Sequence, residues 1–255
     1  MRTAIVTGAS SGIGEATARR LARDGYTVMV VARRADRLEA LAKEIGGMPM
    51  AVDLLEDDAP ATLREHMEAE HGGRLDLLVN NAGAAWRATF ADGGWANVQR
   101  HMALNFDAQV RVTEALLPLL RASAPSAIVN VASTAGRVGR KGSGAYSASK
   151  FALVGFSESL HLEEAEHGVH VGTVLPGFIA TEGFPQQELV DNPRTRWAVS
   201  TPDKVADAIV DAAGGKSERY VPRAYGLVPV LNSVAGGLIR RAGRGGGFAT
   251  KTNAT

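Results

Sequence analysis

The amino-acid sequence predicts an α/β fold: a doubly wound parallel sheet of roughly seven strands, with helices on both faces, in a single domain. Three observations predict it. Short apolar runs alternate with longer amphipathic ones along the chain, the first run leads straight into a glycine-rich turn, and no internal repeat or Pro/Ser linker divides the sequence. At 255 residues such a chain buries roughly three quarters of the surface it would expose unfolded, so it needs neither disulfide nor structural metal.

The first strand is Thr3 to Thr7, and a helix from Gly12 to Arg23 follows its turn. A strand from Thr27 to Ala32 precedes a helix from Asp36 to Ile45, where Leu38, Leu41, Ala42 and Ile45 keep the i, i+3, i+4, i+7 spacing of one buried face. Pro49 to Val52 is the third strand, Asp58 to His71 a helix and Leu75 to Asn80 the fourth strand. One long helix is expected over Trp95 to Leu120, a strand over Ala127 to Val131 and a helix over Tyr146 to His167. The strand His170 to Leu175, the helix Pro202 to Ala213 and a weaker strand Arg219 to Val221 complete the series. Each strand is a continuous apolar run, as expected for a strand covered on both faces.

Composition removes several function classes. With no cysteine there is no disulfide framework, thiolate metal site or cysteine nucleophile. Lys+Arg 28 against Asp+Glu 27 leaves no dense basic face for nucleic acid. The apolar run Ala4-Ile5-Val6 is too short for a signal peptide or a membrane span, and a cytoplasmic location is expected. The domain is expected over residues 1–242, with a glycine-rich tail at 243–255 that reads as disordered.

The first turn reads Thr7-Gly8-Ala9-Ser10-Ser11-Gly12-Ile13-Gly14 and opens a helix. Glycines there let the backbone bend tightly and let a pyrophosphate approach the amides at the positive end of the helix, so Gly8 to Gly14 reads as a dinucleotide site. At the end of the second strand a carboxylate would select NAD by holding the ribose 2′-hydroxyl. Arg33-Arg34 stands there instead, and a guanidinium attracts the 2′-phosphate of NADP.

Tyr146-Ser147-Ala148-Ser149-Lys150 places a phenol and an amine one helical turn apart. A phenol with its ordinary pKa near 10 exchanges protons poorly at neutral pH. An ammonium at about 4 Å would favour the phenolate by about 4 kcal/mol at an effective dielectric near 20. The Tyr-x-x-x-Lys pattern is common by itself. Its company makes it specific: Thr7 to Gly14, Asn80-Asn81-Ala82-Gly83, Asn105, Ser133 and Pro176-Gly177. With these residues the sequence, from Thr3 to about Val221, resembles the compact single-domain branch of the short-chain dehydrogenase/reductases, which have a Rossmann-like fold.

The resemblance implies an NADP(H)-dependent oxidoreductase that interconverts a carbonyl and a secondary alcohol. Tyr146 would protonate the carbonyl oxygen, Lys150 would lower the tyrosine pKa and hold the nicotinamide ribose, Ser133 would hydrogen-bond the same oxygen, and Asn105 would hold a water leading to the lysine. Asp53-Leu54 would meet adenine, Asn81, Ala82 and Gly83 its ribose, and Pro176, Gly177, Ile179 and Thr181 the nicotinamide carboxamide. Arg33 matches a 2′-phosphate ligand. Ser11 departs from those NADP enzymes that carry a base within the glycine turn. A small-molecule substrate would meet the loop after Ser133, Trp86 and a lid over Phe178 to Ser200, where Phe178, Phe184 and Trp197 are aromatic. A homodimer or homotetramer is expected.

Two other readings stay open: a ketoreductase for carrier-bound acyl chains, with Arg137, Arg140 and Lys141 as docking patch, and a non-catalytic NADP-sensing regulator. The six histidines lack metal-ligand spacing and read as surface or strand-flanking residues. Leu227 to Ile239, followed by Arg240-Arg241, is too short to span a bilayer and reads as packing against its own domain or a second subunit, or lying on a membrane surface.

Overall fold

A computed structural model describes residues 2–182, 186–193, 195–227 and 229. Phe184, the stretch after Pro229 and the 243–255 tail lie outside the described residues. Seven strands form one sheet: β1 (Arg2–Thr7), β2 (Tyr26–Ala32), β3 (Met48–Ala51), β4 (Leu77–Asn80), β5 (Ser126–Val131), β6 (Val169–Pro176) and β9 (Glu218–Val221). Their order is β3-β2-β1-β4-β5-β6-β9, and every pairing is parallel. Chain order reverses between β1 and β4, which opens a crevice at the carboxyl ends of those two strands.

Strand pleat divides the core in two. Ala4, Val6, Val28, Val30, Leu77 and Val79 face one side, packed with Ala18 and Leu21 of α1 (Gly12–Arg23), α2 (Ala35–Ile45) and α8 (Pro202–Ala213). Their neighbours Ile5, Met29, Val31, Leu78 and Ile128 face the other, against Leu63 and Met67 of α3 (Ala59–His71), Val112 and Leu116 of α5 (Ala108–Ala122) and Leu160 of α6 (Gly144–Glu164). Burial on both faces explains the unbroken apolar runs.

The expected helix over Trp95 to Leu120 is a correction. Gly94 at φ +51 interrupts the first turn of α4 (Phe90–Met102), and a π-helical turn over Ala103–Asp107 joins α4 to α5. That wide turn carries Asn105. Strand four is shorter than expected at its start, where the Asp76 carboxylate accepts from the Thr3 amide at 2.7 Å and pairs with Arg74 at 2.6 Å. After β6, the pair β7 (Phe178–Ile179) and β8 (Val199–Ser200) forms a separate parallel ribbon that frames α7 (Gln187–Asp191).

Candidate active site

The glycine turn joins β1 to α1 at the crevice. Gly8 has φ +68, a conformation other residues rarely adopt, and a Cβ on Gly14 would lie 2.3 Å from the Gly8 carbonyl oxygen. Ser11 precedes α1 in extended backbone, and its side chain makes no cap to the first helical amides, those of Gly12, Ile13 and Gly14. An uncapped, glycine-lined helix start fits a dinucleotide pyrophosphate. Across the crevice stands Thr181, 3.2 Å from where a Cβ on Gly12 would be.

The turn is held from behind. The Thr7 hydroxyl accepts from the amides of Asn81 and Ala82, each at 3.0 Å, and the Asn81 side chain donates to the Thr7 carbonyl at 2.9 Å. The two arginines after β2 diverge. Arg34 folds back and donates to Ser10 Oγ at 2.9 Å, Ser10 O at 3.2 Å and Ser11 Oγ at 2.8 Å. The basic group missing at position 11 therefore arrives on Arg34. Arg33 is 74% exposed and faces Asp53 at 3.8 Å. Asp53 also accepts from the Leu55 amide, with Leu54 buried beside it. Arg37 of α2 grips Glu182 in a two-point ion pair at 2.6 and 2.9 Å, just beyond Thr181.

Ser133, Tyr146, Lys150 and Asn105 converge at the ends of β4 and β5. The Ser133 hydroxyl accepts from the Ala135 amide at 3.1 Å, lies 3.3 Å from the Pro176 carbonyl and stands near enough to the Tyr146 phenol to favour its charged form. Lys150 is 3% exposed, and its Nζ donates to the Val131 carbonyl at 2.9 Å. Asn105 exchanges two 2.9 Å hydrogen bonds with the backbone of Ala84 and donates to Ser149 Oγ at 3.1 Å. A Cβ on Gly83 would sit 2.9 Å from Asn105 Oδ1 and 3.6 Å from Lys150 Nζ, so the bare Gly83 backbone keeps that corner open.

Burial pulls Lys150 down to about 8 and pushes Tyr146 up. What opposes burial at the phenol is the nearby Ser133 hydroxyl and the positive charge of Arg140. This differs from the expected lysine effect, because the Lys150 amine is engaged on Val131.

These arrangements match a known family: a short chain dehydrogenase model covers residues 2–189. The chain belongs to the short-chain dehydrogenase family. It is 31% identical to the ketoacyl reductase HetN of Nostoc sp. over 86% of this chain and 78% of that protein. It is 33% identical to the fatty acyl-CoA reductase Rv0547c of Mycobacterium tuberculosis over 90% and 79%, and 34% identical to the oxidoreductase UcpA of Salmonella typhimurium over 76% of each. A solved short chain dehydrogenase/reductase family protein superposes with TM-score 0.75 at 30% identity, covering 86% of this chain and 95% of that one. As a short-chain dehydrogenase the protein is an oxidoreductase, and the family implies a nicotinamide cofactor.

Several neighbours of the short-chain dehydrogenase site escaped sequence reasoning. His101, expected at the surface, is fully buried: Nε2 accepts from the Trp86 amide at 3.0 Å, Nδ1 lies 2.7 Å from the Asn97 carbonyl, and the ring stands edge-on to Tyr146 at 6.1 Å. Burial lowers its pKa, which keeps the ring neutral. Tyr225 packs on Gly177, where a Cβ would lie 2.2 Å from its ring, and donates to the Ala198 carbonyl at 3.1 Å. Arg137, read from sequence as part of a solvated loop or a docking patch, is instead a structural pair, since its guanidinium bonds Glu158 at 2.5 Å and Glu218 at 2.6 Å. Ile179 turns its side chain into the core beside the sheet, and Trp197 is 66% exposed. Among the described residues no cluster of His, Asp and Glu could hold a metal, and no helix is long and apolar enough to cross a membrane.

Proposed function

We propose that the protein is an NADP(H)-dependent oxidoreductase interconverting a carbonyl and a secondary alcohol, with Tyr146 as general acid and base. The convergence of Ser133 and Tyr146 at the ends of β5 and α6, with Lys150 and Asn105 behind them, carries this reading. The nicotinamide supplies or accepts the hydride at carbon. Tyr146 gives its phenolic proton to the developing alkoxide, and Ser133 donates to the same oxygen. Lys150 and Asn105 stand on the inner side, where they would hold the ribose and pass a proton toward the phenol. Gly8, Ser10, Ser11, Gly12, Ile13 and Gly14 hold the pyrophosphate, Asp53 and Leu54 the adenine, and Asn81, Ala82 and Gly83 the adjoining ribose. Pro176, Gly177, Ile179 and Thr181 form the backbone edge under the carboxamide.

Preference for NADP(H) rests on the absence of an acid at the end of β2 and on Arg34 lying over the glycine turn, with Arg33 beside it. A panel of carbonyls and alcohols followed by nicotinamide absorbance with both cofactors tests the reading. NADPH is expected to exceed NADH in kcat/KM, and a tenfold preference for NADH overturns the cofactor assignment. A ketoreductase acting on acyl thioesters draws support from relatives named ketoacyl and fatty acyl-CoA reductase. An NADP sensor without turnover is disfavoured because it has no use for Ser133 beside a half-buried phenol. Residues 1–242 form the working domain of a cytoplasmic homodimer or homotetramer, supported by exposed Phe151 and Leu162 on α6 and Trp95 on α4. Light scattering showing only monomer at micromolar concentration contradicts the oligomer.

A further inference from the structure

We propose that Arg140 is the receptor for a carboxylate on the substrate, so that the preferred carbonyl compound is a keto acid with an apolar body. The proposal rests on the oxidoreductase reading and names the substrate class of that same site. The loop between Ser133 and Tyr146 carries two guanidinium groups with opposite fates. Arg137 is consumed by Glu158 and Glu218. Arg140, three residues on, places its guanidinium carbon over the ring of Phe178 at 4.7 Å, and among the described residues no carboxylate pairs with it.

Its surroundings are those of a substrate mouth. Phe178 directly follows Pro176-Gly177, whose Pro176 carbonyl lies 3.3 Å from the Ser133 hydroxyl. The Ala88 amide donates to the Gly142 carbonyl at 3.2 Å, which draws the 84–89 segment, with Trp86 and Arg87, against the Arg140 loop. The groups that act electrostatically on Arg140 are Tyr146, Tyr225 and Arg87, two phenols and a second cation. Arg140 stays exposed to solvent there, with Arg87 adding a like charge near it. An exposed guanidinium seated on an aromatic ring, with no carboxylate paired to it among the described residues, is open to an anion. Its planar fork matches a carboxylate at two points. Trp86 and Phe178 supply apolar walls for the rest of the molecule.

The test compares 2-oxo-4-phenylbutanoate, 4-oxo-4-phenylbutanoate and 5-oxo-5-phenylpentanoate, each against its methyl ester, in wild type and Arg140→Gln. At least one acid is expected to exceed its ester by tenfold or more in kcat/KM. Arg140→Gln should abolish that preference, bringing acid and ester to equal kcat/KM whatever fall the two share. Calorimetric titration of 4-phenylbutanoate and its amide into the NADP-loaded protein gives a readout without turnover. The acid should bind tighter than the amide in wild type and equally in Arg140→Gln. Acids no better than their neutral partners in both measurements overturn the proposal, as does an equal fall of acid and ester in the variant. Tight, Arg140-dependent binding of the acid with no turnover of any ketone would leave the carboxylate site standing and count against the oxidoreductase reading.

Discussion

The two banks of the crevice are built differently. On the β1–β4 side the glycine turn is tied down at every step: the Thr7 hydroxyl serves two amides, Asn81 returns a bond to Thr7, and Arg34 spans Ser10 and Ser11. On the β6 side, after Pro176, the chain runs through a two-residue strand, a five-residue helix and a single 3-10 turn, with Trp197 exposed. A firmly held bank suits the proposed dinucleotide site, because that ligand is the same molecule in every turnover. Among the described residues the second bank is held by contacts between short elements, such as the Arg37–Glu182 pair and the Tyr225–Ala198 bond, which suits the proposal of a segment that admits and releases substrate.

The sharpest way to break this contrast is to disturb the rigid bank. Gly14→Ala drives a methyl into the Gly8 carbonyl and should weaken NADPH binding more than a hundredfold, beside an overpacking cost of about 1–3 kcal/mol. A variant that binds NADPH normally in fluorescence titration would show the turn to be pliable. Arg34→Ala should come next. Loss of a charge-assisted contact of about 1.5–3 kcal/mol predicts a roughly 10–100-fold fall in NADPH affinity with NADH little changed. Equal loss for both cofactors would show that Arg34 acts only by holding the turn and does not meet the 2′-phosphate.

A stability titration reaches the inner wall. Lys150 has a folded pKa of about 8 against roughly 10.4 unfolded, so between those values the unfolded chain binds more protons and stability rises with pH. Below about 8 both states carry the proton and the penalty, of order 3 kcal/mol, is fully present. Urea melts of the cofactor-free protein should show the rise, and Lys150→Met should remove it from the difference between the two proteins. Parallel curves would place the amine in contact with water. The smallest effect belongs to the loose bank: Trp197→Ala should change stability by no more than about 0.5 kcal/mol. A larger loss would mean that the segment is packed as firmly as the turn opposite.

Legibility followed the same division. Gly8 to Gly14, Tyr146 with Lys150, and the buried strands are local patterns, set by a tight turn, a helical repeat and burial on both faces, and they stand where their spacing predicts. Asn105 was legible as a residue, but its π-helical turn was not, and the pair of bonds that Asn105 makes from that turn reaches Ala84, 21 residues away. The fold-back of Arg34, the burial of His101 against Trp86 and the seat of Tyr225 on Gly177 are likewise contacts between distant segments. Charge alone put Arg137 and Arg140 together. Only the positions of Glu158, Glu218 and Phe178 separate them.

Tyr146→Phe removes one oxygen and leaves the ring against His101, so it isolates the proton from the packing. Turnover of a competent ketone with NADPH, measured beside NADPH affinity, should fall by several orders of magnitude while affinity stays within about threefold of wild type. A near-normal rate in that variant would contradict Tyr146 as the acid that completes hydride transfer.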